Sequence, residues 1–552
     1  MPPRHALGLL LLMAACSQRT VPPAQGASPP APPPAAAAQN GRQLTLLAVS
    51  EIHGTPEPCG CQSDPLGDVA RILTLLHQTE KEGGALLVDA GALRYTDQPL
   101  SATMRPQADL KAEFLESTWQ AAGAIVGLGA EDLRFGPQAL PKGRRLASNV
   151  TGLDLAPPAL KEVAGITVGV FAVLDPAAQV PAGITVSDPV AAAQRDVAAL
   201  RKQGAQVIVA LVHEPRPEVR RLVRAVPGIT LAVVGAGVGD GGAPELVGET
   251  LLVQPAVEAQ RVARVDFHLT PDGRLSTQLF AGSEDRQARV ARIATRLRTL
   301  ETQIAELAKD PATDPGFLAA RRREQKALQD ERHELETAPV TPPPLPYAMA
   351  RLVPVNRRLP RDPQAAAAMK ALDARVGEAN RTAGEKIPVP PADPDQPRYV
   401  GLETCGDCHR HEANVEFWQK TGHAHAWKTL VDVNKQWSFD CIKCHVTGYG
   451  EKGGSAMAHV EGLTDVQCEV CHGPGSLHAA RPKQVKIPVG APDERLCRTC
   501  HTPEHSDTFQ FDAYLRDIVG AGHGAKRRAV LGDGPTGHEL RRAALERAQQ
   551  GP

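Results

Sequence analysis

Eight of the 11 cysteines fall between positions 405 and 500, in four pairs: Cys405/Cys408, Cys441/Cys444, Cys468/Cys471 and Cys497/Cys500. Each pair is spaced by two residues and followed at once by a histidine: His409, His445, His472 and His501. That spacing has a specific chemistry. Two thiols can add to the two vinyl groups of one haem, and the adjacent imidazole then reaches the iron as its proximal ligand. Tetrahedral zinc also uses paired cysteines, but it does not call for a histidine after every pair. A disulfide scaffold needs no histidine at all. The pattern therefore predicts four covalently bound c-type haems.

An iron held on one face needs a sixth ligand or an open face. The spare histidines of this stretch are His411, His423, His425, His459, His478, His505 and His523. As a group they read as distal ligands. Two histidines on each iron describe low-potential, six-coordinate, electron-transfer haems.

The remaining cysteines serve other ends. Arg4 and His5 precede an apolar run, Ala6 to Leu12, too short to span a bilayer, and Met13-Ala14-Ala15-Cys16 follows. This predicts a lipoprotein signal at 1–16, lipidation at Cys16 and an export route that suits c-type haem attachment. Ser17 favours the outer membrane, so the expected location is periplasm-facing and lipid-anchored. Residues 17–42 are rich in Pro and Ala and read as an extended tether. Cys59 and Cys61 sit in Glu57-Pro58-Cys59-Gly60-Cys61-Gln62, on the loop after the first predicted strand. They fit a strained disulfide, a metal site or a redox pair, and equally a local structural staple.

Positioning these groups calls for several units. The chain has 552 residues, enough for two or three domains, and a net charge of -1 that points to no nucleic-acid partner. Aromatic residues are only 3 %, so cores must be built from Val, Leu and Ala, with room for something other than side chains. From 43 to 282, apolar runs at 44–49, 85–89, 124–128, 167–174, 207–212, 229–234 and 251–253 alternate with amphipathic stretches such as 68–82 and 189–203, which predicts an α/β domain. From 283 to 338, Val290, Ile293, Leu297, Leu300, Ile304 and Leu307 form a heptad seam. A break at 310–316 and a second charged helix over 317–336 complete a coiled-coil-like helical hairpin. Residues 339–397 supply a strand returning to the first domain, a helix over 365–383 and a Pro-rich linker at 388–397. The haem domain spans 398–525, mainly α and irregular and packed around its porphyrins. A charged tail at 526–552 reads as a loose helix.

Two resemblances extend this multidomain reading. The stretches Tyr399-Val400-Gly401, Gly422-His423-Ala424-His425-Ala426, Cys444 to Gly450, Val466-Gln467-Cys468-Glu469 and Cys471 to His478 resemble the tetrahaem cytochromes that accept electrons from hydroxylamine oxidoreductase, and their multihaem nitrite-reductase relatives. The resemblance implies His423 and His478 as distal ligands, with His523 third and His459 and His425 in reserve. The fourth haem is left without an assigned distal histidine. The N-terminal domain, through Leu44-Thr45-Leu46-Leu47, Ile52-His53-Gly54, Leu86 to Gly91 and Leu251 to Gln254, resembles the 5'-nucleotidase branch of the calcineurin-like metallophosphatases, a two-metal sandwich. The metal-binding pattern is mostly lost. Glu51-Ile52-His53 stands for Asp-x-His, Ala92 for the bridging Asp, and Gly129-Ala130-Glu131-Asp132 for Gly-Asn-His-Glu. His213 is kept, and Gly235 to Val238 lacks both histidines. Glu51, His53, Asp132 and His213 remain as a reduced set for at most one ion, and hydrolysis is not expected.

The expected function is therefore periplasmic electron transfer with redox partner proteins, beside a non-catalytic sandwich. The alternatives are a multihaem reductase of a small nitrogen or sulfur species at one open haem, and a metal-dependent phosphoesterase with a haem accessory.

Overall fold

Along the first strand, Gln43–Val49, alternate side chains point to opposite faces. Leu44, Leu46 and Ala48 enter one apolar core, and Leu47 and Val49 enter another. A strand apolar on both faces must be covered on both, and this dictates the layers. A computed structural model describes residues 42–550 apart from 238, 281–282, 310–312 and 339–341. The expected signal, Cys16 and all but the last residue of the expected tether lie outside the described residues, as does part of the break between the hairpin helices.

Two sheets face each other. The first has five strands in the order Tyr347–Pro354, Arg261–His268, Gln43–Val49, Ala85–Asp89, Ile125–Val126. The second has six, in the order Gly242–Val247, Thr250–Gln254, Leu231–Val234, Val207–His213, Ile166–Leu174, Ala159–Val163. Leu46, Val88 and Val265 of the first sheet meet Val170, Val209 and Leu231 of the second in one core. Helices Val69–Glu82, Arg105–Ala121 and Pro363–Gly384 cover the outer face of the first sheet. Helices Pro189–Lys202 and Arg216–Ala225 cover the second. The result is an α/β sandwich of four layers. The predicted returning strand is Tyr347–Pro354, antiparallel to Arg261–His268.

The heptad seam lies on helix Ser283–Leu307, which packs against Pro315–Thr337. Ile293 and Leu300 are buried, and the ion pairs Arg289–Glu331 and Arg296–Glu324, at 2.7 and 2.6 Å, run the two helices antiparallel. Among the described residues no helix is long and apolar enough to cross a membrane.

The C-terminal region has short helices, Gly401–His409, Asn414–Trp418, Ala426–Val431, Cys468–His472, Ser476–Ala480 and Phe511–Ile518, joined by turns. Its apolar clusters are small, for instance Ile442, Val446, Met457 and Val460. Two expectations change here. The Pro-rich stretch expected as a linker lies along the haem-motif region: Gly453 N donates to Pro390 O at 2.7 Å, and Lys452 pairs with Asp393 at 2.8 Å. Proline lacks a donor but its carbonyl still accepts, so such a stretch can be pinned. The tail expected as a loose helix forms Gly537–Gln550, and its Arg541 donates to Asp507 Oδ1 and to Gln62 O, each at 3.0 Å.

Candidate haem centre and the remnant pocket

The four motif histidines share one device. His409 Nδ1 lies 2.9 Å from Glu412 Oε2, His445 Nδ1 2.6 Å from Ala426 O, His472 Nδ1 2.8 Å from Val489 O, and His501 Nδ1 3.0 Å from Ser506 Oγ. An acceptor on Nδ1 fixes the ring and leaves Nε2 as the free donor of electrons, as metal-ligating histidines require. The residues present therefore fit a haem iron at each motif.

Two of the spare histidines face motif histidines. His478 stands opposite His409, ring centroids 6.4 Å apart and planes 20° from parallel. His423 stands opposite His501 at 6.2 Å and 40°. A metal bonded to two Nε2 atoms at about 2 Å each holds its ring centres about 6 Å apart, so both pairs are spaced for one metal between them. His478 Nδ1 is anchored as well, 2.8 Å from Val485 O. Burial, and then the charges of His501 and His445, push His423 down to about 4, so it is neutral with its lone pair available. Burial, and then the charge of His472, also lower His523. Among the described residues no ring contact of this kind is made by His445 or His472.

The thiols show how the motifs adjoin. Cys405 interacts with Cys468, Cys444 with Cys500, and Cys471 lies in the field of Cys497 and Cys500. The first motif thus adjoins the third, and the second adjoins the fourth.

The motif thiols differ in exposure. Cys408 is exposed, whereas Cys405, Cys441, Cys444, Cys468, Cys471, Cys497 and Cys500 are half-buried. The cause is its place on the helix Gly401–His409. Cys405 turns inward to Cys468, while Cys408 falls in the last turn, within the exposed run from Asp407 to Glu412. The first motif therefore offers one sheltered thiol and one at the surface.

One organising residue is not apparent from the motifs. Glu469 is 2 % exposed. Its carboxylate accepts from Val400 N at 3.0 Å, Gly401 N at 2.8 Å and Gly475 N at 2.7 Å. It ties the start of the first motif's helix to the turn that presents His478. Its place directly after Cys468 is the only signal of it in the sequence.

In the sandwich, the structure brings Glu51, His53 and His213 together. Glu51 lies 2.9 Å from His53 Nε2 and 2.8 Å from His213 Nε2. Burial opposes ionisation, but the bonds from His213 and His53 overcome it and hold Glu51 below its usual range; Glu51 in turn raises both histidines against burial. Asp132 does not join the reduced set expected from the sequence. It accepts from Arg94 N at 2.9 Å and Gly129 N at 3.0 Å and lies 3.7 Å from buried Arg145. Among the described residues no group of three or more His, Cys, Asp or Glu is arranged to hold a metal ion. Glu51, His53 and Ala92 keep left-handed backbone, φ 53°, 54° and 57°, a strained geometry for residues with a Cβ.

Cys59 and Cys61 bring their Sγ atoms to 2.9 Å, with Cys59 exposed and Cys61 half-buried.

Solved structures similar to the chain include a 5'-nucleotidase precursor from Thermus thermophilus and a calcineurin-like phosphoesterase from Bacillus subtilis. The first is 17 % identical over 71 % of this chain and 68 % of that one, with a TM-score of 0.43. The second is 18 % identical over 43 % and 88 %, with a TM-score of 0.34. Cytochrome c-554 of Nitrosomonas europaea is 36 % identical over 93 residues, which are 14 % of this chain and 39 % of that relative's length. Residues 404–473, which hold the first three Cys-x-x-Cys-His motifs, match the family described as "Cytochrome c554 and c-prime".

Proposed function

We propose that this chain is an envelope electron carrier with four c-type haems, one at each Cys-x-x-Cys-His motif. The observation that carries the reading is the common anchoring of His409, His445, His472 and His501 through Nδ1, with His478 and His423 set opposite two of them. When bound, each haem supplies a one-electron ferric–ferrous couple. The chain's part is to hold the rings. Cys405/Cys408, Cys441/Cys444, Cys468/Cys471 and Cys497/Cys500 fix the macrocycles. His409 with His478, and His501 with His423, close both faces of two irons, and His523 serves the third motif. Small apolar clusters beside the motifs leave the interior to the cofactors, and the adjoining of the first motif with the third, and of the second with the fourth, gives electrons a path between haems. Export by the N-terminal signal, lipidation at Cys16 and exchange with periplasmic redox proteins complete the reading, with the sandwich as a non-catalytic platform.

A reductase reading is favoured at one place. His445 has no histidine ring stacked or tilted against it among the described residues, and an iron held there without a second histidine would offer a face to a small substrate. Carbon monoxide tests both readings on the reduced holoprotein. Gas binding at one haem only is expected, rising to two haems in His478→Ala or His423→Ala. Equal gas binding by all the haems of the unaltered protein contradicts the carrier reading. Catalytic reduction of nitrite, hydroxylamine or sulfite that the gas abolishes supports the reductase.

A further inference from the structure

The Cys59–Cys61 loop is not a free surface turn. Glu57 pairs with Lys435, six residues before Cys441, and with Arg361 at 2.7 Å. On the other side of the pair, Gln62 Nε2 donates to Pro503 O at 3.3 Å, two residues past His501, and Ser63 N donates to Asp507 Oδ1 at 3.1 Å. Arg541 crosses both, bonding Gln62 O and Asp507. The sandwich side holds as firmly: Arg357 Nε donates to Ser63 O at 2.9 Å and Asn356 to Asp64 at 3.1 Å. The loop is therefore clamped between the second and fourth haem motifs, where Cys444 and Cys500 meet. Two sulfurs 2.9 Å apart, one exposed, are placed for oxidation to a disulfide. Cys61 shields and bonds the Cys59 sulfur, which with His505 and Lys435 nearby brings Cys59 down to about 6; the same contact drives Cys61 up.

A structural staple explains neither the exposure of Cys59 nor the clamp on the haem side. A sulfur ring across one glycine closes almost no chain, so its entropic contribution to stability is small.

We infer that Cys59 and Cys61 form a two-electron dithiol–disulfide centre that exchanges electrons with the haems of the second and fourth motifs. In the oxidative direction the two S–H groups give up two protons to water at the exposed edge, one S–S bond forms, and two ferric haem irons take one electron each. In reverse, two ferrous irons each return one electron, the S–S bond breaks and two protons are taken up. This inference rests on the haem loading proposed above. It assigns the chain a role between one-electron carriers and a two-electron thiol or disulfide partner.

The test uses the full haem-loaded chain and its Cys59→Ser/Cys61→Ser variant. Anaerobic reductive titration is followed at the haem absorption bands, and cysteine alkylation is read by mass spectrometry. The expected result is that the unaltered protein takes up about two more reducing equivalents per chain than the variant, the count of a dithiol couple. Alkylation of Cys59 and Cys61 is expected only after the haems are reduced. Equal equivalents in the two proteins overturn the inference alone. So does alkylation independent of haem state, a readout that needs only the unaltered protein should the variant fail to mature. A chelatable metal ion bound by the pair also overturns it. Haem bands absent from both proteins overturn this inference and the carrier reading together.

Discussion

The sandwich and the haem-motif region solve opposite packing problems. In the sandwich, strands bury Leu44, Leu46, Val170, Val209 and Val265 completely, and side chains alone fill the interior. Its pocket is polar and largely paired within itself, with Glu51 held between His53 and His213 and Asp132 held by backbone amides and Arg145, while His53 Nε2 and Glu131 Oε2 are buried without a well-formed hydrogen bond. In the haem-motif region, apolar clusters are small and its histidines are anchored by one nitrogen with the other left free. An imidazole anchored through one nitrogen presents the other in a fixed direction, as a metal ligand must. The first region pairs most of its polar groups with one another; the second orients its imidazoles through one nitrogen each.

The sharpest break of this contrast is removal of one haem anchor. Cys468→Ala/Cys471→Ala should lose one haem from the intact mass and leave residues 398–525 open to limited proteolysis, while the sandwich strands keep their hydrogen-exchange protection. Protection lost equally in both regions would merge them into one folding unit. Next is Glu469→Ala, which strands three backbone N–H groups. Bonds to a buried carboxylate of this kind should cost about 3–5 kcal/mol, read as a lowered denaturant midpoint of the haem-motif region alone.

The remnant pocket is tested by pH. Glu51 is lowered from 4.5, so its contribution is present above that value and lost as pH falls through the depressed one. His53 and His213 are raised from 6.5, so theirs is present below 6.5 and lost as pH rises through the raised values. The sandwich should therefore be most protected against exchange between about pH 4.5 and 6.5. Glu51→Gln should flatten that profile and cost about 2–3 kcal/mol. The smallest effect is expected at the hairpin surface. Arg296→Ala removes an exposed pair with Glu324 and should change stability by less than about 1 kcal/mol.

Much of this contrast is legible in the sequence. The haem motifs carry their chemistry in local spacing, and the strands 43–49, 166–174 and 207–213 carry theirs in continuous apolar runs. The helix after Asp68 announces its cap, and Asp68 does accept from Ala70 N at 2.9 Å. Other features are hidden for physical reasons. Strand Arg261–His268 interleaves Arg264 and Asp266 with its apolar residues; their ion pair lets both charges sit in a sheet. Helix Arg105–Ala121 has a weak apolar stripe because Glu116 turns inward to Arg145 and Arg94. Spacing also makes Cys405 and Cys408 equivalent, and only the packing of their helix on Cys468 sets one inward and leaves the other exposed. Which histidine faces which, the reach of Glu469, and the docking of the Cys59–Cys61 loop onto the haem motifs are long-range contacts that no local pattern encodes. Asp132 reads as a surviving ligand, but Arg145, distant in local sequence, lies beside it.

The central claim is that all four motifs hold haem. It is tested most directly by the intact mass of the mature chain under denaturing conditions, where only covalent haem remains. The account predicts a mass above the polypeptide by four haems, falling by one when any single motif is removed. A mature chain carrying fewer than four would contradict it.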